Sequence, residues 1–206
     1  MKRTKSSNRW LEDHENDAYV QRARREGYRS RACYKLLEID EKYQILHEGM
    51  TVVDLGAAPG GWSQVAVGKT GVGGRVVSID ILDMEPLRGV EFIQGDFTTD
   101  TVLEQLLNCL SGAPVDLVIS DMAPNLSGNK AIDQPRAIYL VELAIEFASM
   151  TLRSGGGLLV KCFEGEGINE VRQQFSSNFR QLSNLKPKAS RPKSREIYLL
   201  GRDFRD

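Results

Sequence analysis

Thr51-Val-Val-Asp-Leu-Gly-Ala-Ala-Pro-Gly-Gly-Trp-Ser63 is the stretch whose reading decides the fold. Thr51 to Leu55 is a short β-rich run with an aspartate at its end, the pattern of a buried strand. The small residues behind it let a ligand lie against the backbone and then open a helix. Working outward, the same alternation recurs. Strand-like runs are predicted at Arg75–Asp80, Val90–Ile93, Val115–Asp121 and Gly157–Phe163, and helices at Trp62–Thr70, Thr99–Leu110 and Pro135–Leu152. Continuous apolar strands joined mostly by helical crossovers suit a parallel sheet covered on both faces, a doubly wound α/β architecture. A helix near Asn169–Asn178 and a terminal strand Glu196–Leu200 complete the sheet as a hairpin. Upstream, a helix is predicted over Asp17–Glu26, stopped by Gly27. A second, capped by Ser30, runs to Tyr43 with Ala32, Leu36, Ile39 and Tyr43 on one face.

With 206 residues, 41% hydrophobic and 27% charged, the chain fits one domain with a sizeable core and neither a disordered nor a fibrous protein. No apolar run approaches a membrane span and residues 1–17 are polar, so no membrane partner is expected and the cytoplasm is the expected location. Cys33, Cys109 and Cys162 are odd in number and form no CxxC pair, and His14 and His47 are the only histidines; neither a disulfide scaffold nor a metal site is expected. The net charge of −1 hides a segregation. Residues 1–35 carry 10 Lys/Arg against 5 Asp/Glu, residues 36–179 carry 9 against 20, and residues 180–206 carry 8 against 3. Two basic ends flank an acidic middle, which suits convergence on one face that meets a polyanion. Solvated arms would give the same count. Tyr28-Arg29-Ser30-Arg31 and Ser190-Arg191-Pro192-Lys193-Ser194-Arg195 favour nucleic acid, because their guanidinium groups can bracket phosphates.

Ligands of doubly wound sheets bind beyond the carboxyl ends of the strands. The loop from Gly56 lacks the GxGxxG spacing of a dinucleotide fingerprint and has no basic residue nearby, so a phosphate is not its obvious guest. Asp80, ending the second strand, is placed to accept hydrogen bonds from a ribose diol, and Asp96, after the third, to accept from an adenine amine. Any one of these aspartates alone could simply cap a helix. Together with the close-approach glycines, acidic strand ends suit an adenosine ligand carrying a cation, as S-adenosylmethionine does.

The fourth strand delivers Asp121, followed by Met-Ala-Pro124-Asn125. Enzymes that methylate base amines often carry an aromatic residue after such a turn to stack on a flipped base. Asn125 stands there instead. Lys161 lies inside the apolar run Leu158-Leu-Val-Lys-Cys-Phe163 and must pair, shift its pKa or snorkel. If Asp121 and Lys161 leave the sheet at one edge, they become neighbours. Strand alternation turns Cys162 to the other face, against a covalent cysteine mechanism.

These residues carry a resemblance. Arg9-Trp-Leu11, Gly27-Tyr-Arg-Ser-Arg-Ala32 through Tyr34-Lys-Leu36, Asp54 to Ser63, Ser120 to Ser127, Arg136-Ala137 with Tyr139 to Leu143, Val160-Lys161 with Gly165-Glu-Gly167, and Ser194-Arg-Glu196 together resemble the FtsJ-type ribosomal RNA 2′-O-methyltransferases over nearly the whole chain. The chain looks most like the bacterial branch acting on a uridine of large-subunit (23S) rRNA. The resemblance implies a Rossmann-like, mostly parallel S-adenosylmethionine-dependent methyltransferase fold with a C-terminal antiparallel strand. It implies a Lys-Asp-Lys-Glu tetrad at Lys35, Asp121, Lys161 and Glu196, and cofactor contacts at Gly60, Trp62, Asp80, Asp96 and Asp121. Gly56 joins these through the close-approach loop. Cys33 departs from the bulkier aromatic expected at its position, which concerns helix packing more than the tetrad.

The expectation is therefore one domain over residues 1–206, with a basic helical segment (1–46) serving RNA and active site, and an α/β core (47–206). It is a monomeric 2′-O-methyltransferase whose partner is ribosomal RNA, within the assembled large subunit, bound through Arg29, Arg31, Arg191, Lys193 and Arg195. Lys161 is either a general base or a charged orienter of the ribose hydroxyl. A transfer-RNA substrate, a non-catalytic ribosome-assembly factor and a nicotinamide oxidoreductase are the alternatives. A broken tetrad or glycine loop would have favoured the second, and neither is broken.

Overall fold

The computed structural model describes residues 17–125 and 127–205; the Arg9-Trp10-Leu11 motif and the rest of residues 1–16 lie outside them. Its elements are α1 (Ala18–Glu26), α2 (Cys33–Tyr43), β1 (Thr51–Leu55), α3 (Gly61–Thr70), β2 (Arg75–Asp80), β3 (Val90–Gln94), α4 (Asp100–Leu110), β4 (Val115–Ser120), α5 (Lys130–Thr151), β5 (Leu152–Phe163), α6 (Ile168–Asn178), β6 (Phe179–Leu185) and β7 (Glu196–Phe204). One seven-stranded sheet runs β3-β2-β1-β4-β5-β7-β6, and β7 is antiparallel to both of its neighbours. The doubly wound reading, with its C-terminal antiparallel strand, is what the chain forms. The chain reverses its direction of winding between β1 and β4, where such sheets open a crevice at their carboxyl edge.

Two apolar cores explain the layers. Val52, Trp62, Val76, Ile119, Leu159 and Tyr198 pack under α2 and α3 on one face. Val53, Leu106, Val118, Phe147, Val160 and Cys162 pack under α4, α5 and α6 on the other. Lys161 and Cys162 thus face opposite sides, as the strand alternation requires.

Four local readings differ from the sequence-based expectation. Ser30 does not cap α2 through its side chain; helix entry rests on the Cys33 N–H donating to the Ser30 carbonyl. α5 begins five residues before Pro135, because the Asn129 side chain accepts from the Ala131 N–H and starts the helix early. β5 extends back to Leu152 through three glycines that lower strand propensity, and its pairing with β4 shifts register there. Phe179–Leu185, too polar to read as a strand, is β6, the edge strand that closes the hairpin with β7. Among the described residues no helix is long and apolar enough to cross a membrane.

Candidate active site

Asp121 follows the last residue of β4, and Lys161 lies on β5 beside it. The Lys161 Nζ stands 3.1 Å from the Asp121 carboxylate and also donates to the Asp121 carbonyl. The pairing inferred from the two strand ends is present. Lys35 enters from α2, its ammonium 2.9 Å from Glu196 and 3.7 Å from Asp121. A chain separation of 161 residues is bridged by the Lys35–Glu196 bond. The structure therefore gathers Lys35, Asp121, Lys161 and Glu196 in one cluster.

At its centre is a residue the sequence reading missed. Tyr198 pairs with Lys161 across β5 and β7, so both side chains rise from the same face. Its hydroxyl donates to Asp121 Oδ1 at 2.6 Å and accepts from Lys35 Nζ at 2.8 Å, while its ring lies 5.7 Å from that of Trp62. The available signal was its spacing, two residues beyond Glu196 on one strand face. Burial above all, then the carboxylates of Asp121 and Glu196, push its phenol well above the usual value, so it remains a donor. Asp121 is subject to opposed effects. Burial favours its neutral form, but the Lys161 and Lys35 ammoniums and the Tyr198 bond outweigh it and hold the carboxyl below its usual range. Tyr198→Phe is expected to lower the single-turnover rate about 10- to 100-fold with cofactor affinity unchanged, since a bond to a charged group is lost on both sides of the hydroxyl. An unchanged rate would make Tyr198 a packing residue.

Beside the cluster, at the winding reversal, lies a cleft of about 330 Å³ lined by Gly56, Asp80, Asp96, Phe97, Asp121 and Asn125, among others. That volume suits a nucleoside-sized ligand. Gly56 has φ +78°, and a Cβ there would lie 2.3 Å from Met122 Cγ, so only glycine keeps the wall open. Asp80 holds the surrounding turns: its Oδ2 accepts from the Ala58 N–H and its Oδ1 from the Leu82 N–H, both at 2.8 Å. Asp96 Oδ1 accepts from the Thr98 N–H and hydroxyl, bonds that hold its carboxyl below the usual range. Ile81 and Leu82, large and exposed, form an apolar lip.

Two residues of the expected cofactor set are not brought to the cleft wall. Gly60 caps α3 with φ +101°, covered by Met84 and Arg29. Trp62 turns into the core, where its Nε1 donates to the Ala32 carbonyl, so any ligand contact there runs through the backbone. Cys33 is fully buried where α2 meets the start of α3, and the small side chain leaves the tetrad intact.

The arginines divide similarly. Arg29 donates to the carbonyls of Pro59, Glu85 and Pro86, and Arg31 pairs with Asp17 and donates to the Ala189 carbonyl. These guanidinium groups fasten loops, which leaves fewer donors for phosphate than their spacing suggested. Arg195 is exposed and donates to the Glu164 carbonyl, while Arg191 and Lys193 are exposed on the same loop. Glu38 of α2 accepts from the N–H groups of Lys188 and Ala189. The basic N-terminal helices and the basic C-terminal loop are thus locked together, as the charge map anticipated.

Comparison with known proteins agrees with this geometry. Residues 28–204 match the family model described as FtsJ-like methyltransferase. A protein of Azoarcus sp. named ribosomal RNA large subunit methyltransferase E is 57% identical over all of both chains. One of the same name from Pseudomonas aeruginosa is 56% identical over 100% of this chain and 99% of its own. Among solved structures, a ribosomal RNA methyltransferase described from Plasmodium falciparum superposes with a TM-score of 0.76 at 32% identity, over 86% of this chain and 98% of that one. An Aeropyrum pernix fibrillarin with bound S-adenosyl-L-methionine shares the fold, with a TM-score of 0.55 at 16% identity over 84% of this chain and 75% of its own.

Proposed function

The chain belongs to the FtsJ-like methyltransferase family, and from that premise we propose that it transfers a methyl group from S-adenosylmethionine to the ribose 2′-hydroxyl of a uridine in large-subunit ribosomal RNA. The observation that carries the reading is the cluster itself: two ammoniums, two carboxylates and a phenol at the edge of a nucleoside-sized cleft. The ribosomal substrate rests on the names of relatives more than half identical over their full length. The fibrillarin that shares the fold was found with S-adenosylmethionine.

The cleft's residues fit that cofactor. Its glycine wall admits a close ligand, and carboxylates at the ends of three strands offer acceptors to a ribose diol, an adenine amine and a cation. Asp80 would hold the ribose and Asp96 the adenine. Bound there, S-adenosylmethionine supplies an activated methyl group for transfer to oxygen. A ribose hydroxyl is a poor nucleophile, so positioning supplies much of the rate. Lys161 spends two of its three hydrogens on Asp121, leaving one to hold the 2′-oxygen and to stabilise the negative charge that grows on it while the hydroxyl proton passes to solvent. This arrangement favours the charged orienter over the general base. Asp121, kept ionised, fixes both lysines, and Glu196 and Tyr198 fix Lys35.

Truncating Asp80 to Ala is expected to weaken S-adenosylmethionine by about 1.5 to 3 kcal/mol, the value of hydrogen bonds to a charged group. Calorimetry giving unchanged affinity would remove Asp80 from the site. RNA would lie across the locked basic ends in the cytoplasm, where a single copy acts on the large subunit. Replacing Arg191 and Lys193 with Ala should flatten the dependence of log binding constant on log salt by about 0.7 to 0.9 for each phosphate that the loop no longer neutralises. An unchanged slope would make that loop a solvated arm. The function as a whole is tested by mapping 2′-O-methyl groups on ribosomal RNA from cells with and without the gene. One uridine of the large-subunit RNA should lose its methyl group, and an unaltered map would reject the reading.

A further inference from the structure

The motif Arg136-Ala137 with Tyr139 lies on α5 and has no part in the roles assigned above. The helix fixes where its side chains point. Ala137 and Val141 are buried against the sheet. Leu140 turns to one flank, where it lines the cleft beside Asp121 and Asn125. Ile138 turns to the other flank and covers Gly167, where an added Cβ would lie 3.1 Å from Ile138 Cγ1. Tyr139 therefore faces outward, 50% exposed, with Ile132 two turns earlier on the same face and 43% exposed. Arg136 precedes Leu140 by four residues, so it lies on the cleft flank, one turn nearer the carboxyl edge of the sheet. This end of α5 is held firmly. Gln134 Nε2 donates to the carbonyls of Phe163 and Glu166, at and beyond the end of β5.

Charge singles out the same stretch. Residues 36–179 carry 9 Lys/Arg against 20 Asp/Glu, yet between Met122 and Val141 the charged residues are Lys130, Asp133 and Arg136. Asp133 is buried, and its carboxylate accepts from the Ser127 N–H and hydroxyl and from the Gly128 N–H. The stretch thus shows solvent only cations. Arg29, Arg31 and Arg195 are fastened to backbone carbonyls, whereas Arg136 makes no hydrogen bond or ion pair among the described residues. A free guanidinium one turn from an exposed aromatic ring, on a firmly held helix, offers a nucleotide both a phosphate partner and a stacking surface.

We propose that Arg136 and Tyr139 form a second RNA contact, holding a nucleotide outside the target position with the guanidinium on its phosphate and the ring against its base. This rests on the reading that the chain methylates ribosomal RNA. α5 covers the face of the sheet opposite α2. A strand that leaves the basic loop on the α2 side and crosses the carboxyl edge at Lys161 descends onto α5. Held on both sides of that edge, it presents one ribose to the cluster, which is the positioning that the reaction needs. Stacking on tyrosine accepts any base, so the contact supplies hold and not sequence preference. Glu142 and Glu146, exposed further along the helix, repel phosphate and end the track.

The test is equilibrium binding of the full chain to protein-free large-subunit RNA and to large-subunit particles, both from cells lacking the gene. Both side chains are exposed, so their substitution should leave the fold intact. Tyr139→Ala should weaken binding to RNA and particles alike by about 5- to 150-fold, the value of one stacked base. Tyr139→Phe, which keeps the ring, should restore most of that loss. Arg136→Ala should lower the slope of log binding constant against log salt by about 0.7 to 0.9, while Tyr139→Ala leaves the slope alone. S-adenosylmethionine should bind all three variants equally. Undiminished affinity in Tyr139→Ala, equal losses in Tyr139→Ala and Tyr139→Phe, or an unchanged slope in Arg136→Ala overturns the proposal. So does a loss confined to the particles, which would make the partner a ribosomal protein. Failure of wild type to bind either substrate overturns the reading of the function itself.

Discussion

Lys161→Met is expected to yield a folded protein that binds its cofactor and transfers methyl at least a hundredfold more slowly. Methionine keeps the apolar bulk of a stem that is 8% exposed between β4 and β7. Asp121 is not orphaned by the change, because Tyr198 still donates to it and Lys35 stands 3.7 Å away. The 3 to 5 kcal/mol that breaking a buried pair usually costs should therefore shrink to about 1 or 2. Transfer has no such substitute, and an electrostatic contribution at the reacting atom is worth about 3 kcal/mol. Single-turnover transfer of labelled methyl to ribosomal particles measures it. Near-normal turnover in the folded variant would reduce Lys161 and Asp121 to an ordinary structural pair.

Asp54→Asn should act on stability with a sign that depends on pH. An unfolded aspartate titrates near 3.9, while the buried Asp54 carboxyl titrates near 7. Between those values the native state holds a proton the unfolded state has lost, so this residue's contribution falls as pH rises from about 4 to about 7 and stays low above it. The full span is on the order of 4 kcal/mol. Denaturant unfolding at pH 5 and pH 8 should show wild type losing about 2 to 3 kcal/mol over that interval through this residue, with Asp54→Asn nearly flat. The Ser63 hydroxyl can donate to the amide oxygen as it does to the carboxylate, so the variant keeps that bond. Parallel curves for the two proteins would show that Asp54 is already ionised when buried.

The parts of the fold that were legible in the sequence are those where local pattern and tertiary setting agree. β1, β2 and β4 are buried on both faces and read as short, mostly apolar runs rich in β-branched residues. α1 has Asp17 accepting from two N–H groups at its start and Gly27 with φ +75° at its end, both standard punctuation. β6 was illegible because an edge strand with one exposed face needs few apolar residues, and Phe179-Arg-Gln-Leu-Ser-Asn-Leu185 offers a strand little beyond its place beside β7. In the site, Asp121 and Lys161 could be placed from strand ends alone. Lys35 and Glu196 could not, since they meet across 161 residues, and only family resemblance named them. Tyr198 escaped because a tyrosine in an apolar strand looks like core, which its ring is. Only its hydroxyl belongs to the site. The spacing of Arg29 and Arg31 reveals that cations are close together but not that some of their donors are already engaged with backbone carbonyls.

The placement of β7 has a consequence for when the protein becomes competent. Glu196 and Tyr198 lie on a strand that is synthesised after every other strand of the sheet, yet they anchor a lysine from the second helix. Pairings so distant along the chain form late, because loop closure must be achieved before the contacts reward it. A nascent chain that has folded β1 to β5 already has the cleft wall, but its Lys35 lacks both anchors. Lys35 therefore has both of its anchors only when the last strand of the sheet lies between β5 and the edge strand.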